Sequence, residues 1–116
     1  MTITVEAFTG TESITTTEHS MTADTAGPDA DTTTGFYQAF IDLNAVAAGD
    51  EFEFKTYEKV RTGDTQQLVY VARFAGAQPT PVWVSPSLIL GVGWDMTLKK
   101  IAGTDRTINW RISRGA

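Results

Sequence analysis

No stretch of twelve or more residues in this chain sustains apolar residues at i, i+3 and i+4. Its segments alternate instead with a period of two, cut short by Gly and Pro. Successive side chains on a strand point to opposite faces, so such a pattern can bury one face of a sheet but not one stripe of a helix. The pattern predicts an all-β chain. "TITVEAF" places Ile3, Val5 and Ala7 on one face, and "ESITTTEHSM" is β-branched and Thr-rich, which favours strand. "ADTAGPDADTTTG" reads as a loop from its Gly-Pro and its Asp and Thr clusters. "FYQAFIDLN" and "EFEFKTYEKV" read as strands around "AVAAGD", which has room for one helical turn. "QQLVYVARF" is a further strand, "GAQPTPVWVSPS" a Pro-punctuated crossing and "LIL" a short strand. "GWDMTLKKIAGTDRTINWRI" supplies the last two.

Parity sharpens this reading. Facing residues of an antiparallel hairpin have numbers of constant sum, and the parity of that sum decides which side chains share a face. Trp94, Met96 and Leu98 on one strand and Ile108, Trp110 and Ile112 on the next are all even-numbered. A hairpin with a three-residue loop, Gly103-Thr104-Asp105, is expected; it pairs Leu98 with Trp110 and Met96 with Ile112 and turns both tryptophans inward. The same logic places Phe52, Phe54, Leu68, Tyr70 and Phe74 on one face, with an odd loop around Thr62-Gly63-Asp64. Glu51, Glu53, Lys55 and Arg73 then lie on the other, where they suit a cross-strand salt-bridge ladder; Tyr57, Val69 and Val71 among them make it a mixed face with room for partial cover by another strand or a partner subunit. Two sheets with one solvated face each must stack, so the expected fold is an antiparallel β-sandwich of about eight strands, jelly-roll or immunoglobulin-like.

The chain's 116 residues suit one domain, 1–116, with a core of its own. Its charge is uneven. Residues 1–34 carry Glu6, Glu12, Glu18, Asp24, Asp29 and Asp31 with no Lys or Arg, forming an acidic, Thr-rich N-terminal section. From Gly35 onward eight acids face nine bases. A net charge of −5 argues against nucleic acid as a partner, since phosphate contacts come from Lys and Arg. "MTITVEAFTG" has neither the basic region nor the apolar run of a signal peptide, and no run approaches the ~20 apolar residues of a membrane span, so no membrane partner is expected. Cysteine is absent, which removes disulfides and thiolate chemistry and fits assembly in a reducing cytoplasm.

The side chains that could carry catalysis are sparse. His19 is the single histidine, too few for a triad or a multi-histidine metal site within one chain. Ser85 and Ser87 lack a G-x-S-x-G frame. Asp24, Asp29 and Asp31 could gather oxygens around Ca²⁺, but Gly-Pro interrupts the EF-hand spacing, and a solvated loop is the simpler reading. Glu51 and Glu53 lie beside Lys55 and Arg73, which keep both charged and unsuited to glycoside hydrolysis. "GVGWDM" lacks the third glycine and the helix of a dinucleotide loop. The chain is therefore expected to be no enzyme, with no catalytic residue, no cofactor and no metal. Trp83, between prolines in "PTPVWVSP", suits either a core lid or a partner contact. The expected partner-contact set is Trp83, Pro81, Tyr37, Asp29, Asp31 and Thr32.

"GFYQAFIDLNAVAAGDEFEFKTYEKV", "LVYVARF", "PVWVSPSLIL" and "GWDMTLKKIAGTDRTINWRI" together resemble a family of small virion structural proteins of tailed bacteriophages, of the kind encoded among head genes. The likeness covers about Gly35 to Ile112; the "DTAGPDAD" loop is more particular to this chain. The resemblance implies a virion component assembled in the host cytoplasm. It points to a capsid decoration or cement protein that binds the major capsid protein or other virion proteins on the outer head shell. Proteins of that kind are often homo-oligomers, with a trimer favoured. The alternative is a carbohydrate- or receptor-binding module of a tail or head fibre, with Trp83, Tyr37 and the Asp24–Asp31 loop as its surface.

Overall fold

A computed structural model describes all 116 residues and contains nine strands and no helix. In chain order they are β1 (Ile3–Ile14), β2 (His19–Ser20), β3 (Gly35–Asp42), β4 (Glu51–Glu58), β5 (Gln67–Ala75), β6 (Val82–Val84), β7 (Leu88–Leu90), β8 (Asp95–Ala102) and β9 (Arg106–Gly115). They form two antiparallel sheets. The first runs β1-β9-β3, with β6 and β7 both pairing along the far side of β3; the second runs β2-β8-β4-β5.

The connectivity resolves the choice between sandwich types. β6 and β7 are one edge strand broken at Pro86, and Ser85 repairs the break: its hydroxyl accepts the Ala39 N–H (2.8 Å) and its own N–H donates to Ala39 O (2.9 Å). With these two counted as one, the chain pairs first with last, second with second-last, third with third-last, and β4 with β5. That is one long hairpin rolled into two sheets, the jelly-roll arrangement. The acidic N-terminal section is part of it, giving β1 to the first sheet and β2 to the second.

Inward residues of both sheets meet as predicted. Tyr37, Ala39 and Ile41 of β3 and Ile108, Trp110 and Ile112 of β9 face Phe52 and Phe54 of β4 and Met96 and Leu98 of β8, all buried. Trp94 is fully buried: it packs on Tyr37 (ring centroids 4.1 Å apart) and donates its Nε1–H to Thr33 O (3.2 Å).

Four expectations are corrected. β8 and β9 are not a hairpin but lie in opposite sheets, so Leu98 and Trp110 are not paired; the three-residue Gly103-Thr104-Asp105 link turns a corner between layers. Parity still placed their side chains rightly, because both strands bury the even-numbered face. The β4–β5 hairpin is real, but eight residues, 59–66, connect its strands rather than an odd tight loop. A bulge at Val69 shifts the register, so Phe52 pairs with Phe74 while Leu68 pairs with outward-facing Tyr57 and is exposed. Ile3 and Val5 are also exposed, because the core takes the even-numbered residues of β1, Phe8 and Ile14, while Ile3 pairs with outward-facing Gly115. "AVAAGD" folds as two turns closed by Val46 N–H to Leu43 O and Asp50 N–H to Ala47 O (both 3.0 Å), with no helical turn.

Candidate interaction surface

The two outer faces of the sandwich differ in chemistry. On the second sheet, Arg73 donates to Glu53 (2.9 Å) and Glu51 (3.3 Å), and Lys55 pairs with Glu53 (3.2 Å), the ladder expected from the alternation. Burial pushes the Glu53 carboxyl up, but hydrogen bonds and charge from Lys55 and Arg73 outweigh it and leave its pKa below the ordinary value. Around Tyr57, Thr97 and Asp95 this face is covered by the chain's own N-terminal section, while Leu68, Val69 and Val71 of β5 stay exposed. Tyr57 and Thr97 both donate to Glu18, and burial together with that hydrogen bond raises the Tyr57 pKa. Asp95 is buried and accepts from the Thr22 hydroxyl and the Asp29 N–H (2.8 Å each). Burial raises its pKa despite those bonds.

The outer face of the first sheet has no such cover. Outward positions follow from the register: Ile89 beside Phe36, Phe36 beside Gly115, Gly115 beside Ile3. The next row holds polar Gln38 and Ser113, and the row beyond it Val84, Phe40, Arg111 and Thr9. Ile89 is 73% exposed and Phe36 47%; Met1, Ile3, Val82 and Val84 are exposed as well. An open concavity of about 300 Å³ lies between Met1, Ile3, Phe36, Gln38, Ser113 and Gly115. Its floor is Gly115, where a side chain would run into the Met1 thioether. Arg111 lies across the Phe40 ring (3.9 Å to the centroid) while its buried Nε has no hydrogen-bond partner. A sheet face of this composition, open along its edge, is a surface that can dock on another protein.

The expected contact residues do not form one surface. Tyr37 is a correction: it is fully buried beneath β3, its hydroxyl donating to Thr33 O (2.8 Å), and no partner can reach it. Trp83 is half-buried on the inward face of β6, its ring 5.1 Å from Phe54 and 5.0 Å from Phe74, which makes it a lid on the core. Pro81 is exposed just before β6, near the Asp42 end of β3. Asp29, Asp31 and Thr32 lie before the other end of β3, in a loop fastened to its own sheet by a two-way Asp31–Trp94 backbone bridge. Asp29 and Thr32 remain exposed and Asp31 is half-buried. Trp83, Tyr37 and the loop therefore do not build a common sugar platform.

The exposed apolar row of Phe36, Ile89 and Ile3 was not singled out from the sequence. The signal lay in "GFYQAFID", where aromatics occupy both faces of the alternation: Tyr37 inward, Phe36 and Phe40 outward. A strand solvated on one side has no need of the second set. Comparison with protein-family models, curated proteins and solved structures finds no match to this chain.

Proposed function

We propose that this chain is a structural protein of a bacteriophage virion, a capsid decoration protein that binds the outer head shell without catalysing a reaction. The observation that carries the reading is the uncovered apolar face of Ile3, Phe36, Val84 and Ile89, beside a second outer face where ion pairs and the N-terminal section leave only the β5 side, Leu68, Val69 and Val71, open. The resemblance of residues 35–112 to small virion proteins supplies the partner class; the jelly roll is shared by capsid and lectin domains and does not choose between them. In this reading the apolar face lies on the shell or on neighbouring copies of a homotrimer, and the ion-paired face looks outward. Proteomics and electron microscopy of purified virions test it. Many copies arrayed on the head are expected; absence from the particle, or a few copies confined to the tail, overturns it.

A further inference from the structure

On the edge strands β1 and β2, two ionisable side chains break the inward apolar pattern, and they face each other. Glu12 on β1 pairs with Ile108 and so points into the gap between the sheets, where Phe8 and Ile14 of the same strand pack. His19 on β2 pairs with Leu98 and points into the same gap from the opposite sheet, its ring edge-to-face on Trp110 (5.5 Å between centroids). β1 and β2 are edge strands, so both groups sit at the open seam of the sandwich. The chain then makes an excursion that brings a third group to the same place. Ser20 N–H donates to Thr25 O and Asp24 N–H to Ser20 O, closing a tight turn with Asp24 at φ +57°. That is left-handed backbone, which most side chains avoid and which Asp and Asn tolerate best. The turn delivers the Asp24 carboxylate to His19, whose Nε2–H donates to Oδ1 (2.8 Å).

We propose that Glu12, His19 and Asp24 form a binding site for a divalent transition-metal ion of the Zn²⁺ type, which clips the edge of one sheet to the edge of the other. One ligand atom from each residue lies within 4.8 Å of the other two. Bonds of about 2.0–2.2 Å to imidazole and carboxylate would draw them to roughly 3.5 Å apart, a change within side-chain rotation. The metal displaces the proton from Nε2, solvent carries it to Nδ1, and the imidazole stays neutral and binds through the Nε2 lone pair. One nitrogen and two carboxylates leave a fourth position open to the concavity of about 300 Å³, lined by Ser13, Thr15 and Thr17, where water completes the shell. An imidazole in the set selects Zn²⁺ over Ca²⁺ and Mg²⁺, which take oxygen ligands. The Asp24, Asp29 and Asp31 calcium loop considered from sequence is not assembled, since Asp29 and Asp31 are fastened elsewhere by their backbones.

Inward charges on edge strands can also serve only to prevent edge-to-edge pairing, and the experiment separates the two roles. Purified protein, stripped with chelator, is titrated with Zn²⁺, Mg²⁺ and Ca²⁺ by calorimetry and thermal melting, and with Co²⁺ by visible absorption. Asp24→Asn keeps the left-handed turn and Glu12→Gln keeps the shape of an exposed edge, so both variants should fold. One Zn²⁺ per chain is expected, with a rise in Tm, a Co²⁺ absorption band of a low-coordinate site, and at least about tenfold weaker binding in each variant. Absence of saturable Zn²⁺ binding overturns the proposal. So does binding of unchanged strength in both variants, or an equal response to Mg²⁺ and Ca²⁺.

Discussion

Gly10 lies directly under the indole of Trp110. The two are cross-strand partners in β1 and β9, and a Cβ on residue 10 would come within 2.6 Å of the ring's Cε2 and 2.7 Å of its Cη2, with Cζ2 nearer still. The ring is anchored from its other side by an Nε1–H bond to Met21 O (3.2 Å), so it cannot swing away freely. Gly10→Ala should therefore destabilise the protein by about 1–3 kcal/mol through overpacking, although alanine favours most other positions over glycine. Denaturant unfolding measures it; an unchanged midpoint would mean that the ring yields.

Trp94 is expected to be the costlier indole to remove. It stacks on Tyr37 and meets Phe8 edge-to-face at 5.8 Å, joining β1, β3 and the start of β8. Trp94→Ala should cost about 3–5 kcal/mol, a large share of the stability of a domain this size. A loss below about 1 kcal/mol by the same assay would contradict its placement.

Asp50 ties the inter-sheet corner to the β3–β4 connection. Its carboxylate accepts from the backbone N–H of Thr104 (3.0 Å) and of Ala47 (3.0 Å) and from Arg106 Nε (2.7 Å), and these bonds, in that order, lower its pKa to about 2. A carboxylate with a depressed folded-state pKa adds stability above its unfolded pKa, and that stability is lost as pH falls through the folded value. Wild type should therefore be more stable than Asp50→Asn at pH 7, with the difference shrinking between about pH 4 and pH 2. Asp95 acts in the opposite sense, since burial raises its pKa and its protonation favours the folded state. Melting curves of the two proteins across that range isolate the Asp50 share; a gap independent of pH would show that the carboxylate's charge is not what holds the corner.

The sequence was most legible where side chains alternate over a full strand. Trp94, Met96, Leu98, Ile108, Trp110 and Ile112 are all buried, because period two reports the face whatever the partner strand is. For the same reason it could not report the partner. Leu98 and Trp110 share parity across two sheets as readily as across one hairpin, so the rolled topology was invisible. Leu68 went astray because a bulge adds one residue and reverses every face beyond it, with no marker in "TQQLVY". The cover over part of one outer face was hidden for another reason: residues 23–34 read as a free acidic loop, and nothing in the sequence ties Glu18, Asp29 and Asp31 to Tyr57, Asp95 and Trp94.

The apolar outer face can be altered without touching the core. Phe36 and Ile89 point to solvent from paired positions on β3 and β7, so Phe36→Asp and Ile89→Asp should each change stability by no more than about 0.5–1 kcal/mol. Thermal melting checks this, and a large loss of Tm would mean that these residues support the sheet itself.

The most direct measurement is binding of the purified protein to phage heads that lack it, comparing wild type with the Phe36→Asp/Ile89→Asp double variant by co-sedimentation. The account predicts that wild type saturates the heads at many copies per particle and that the folded double variant binds at least about a hundredfold more weakly, as expected for loss of a central apolar contact. Wild type that fails to bind, or a double variant that binds equally well, would contradict it.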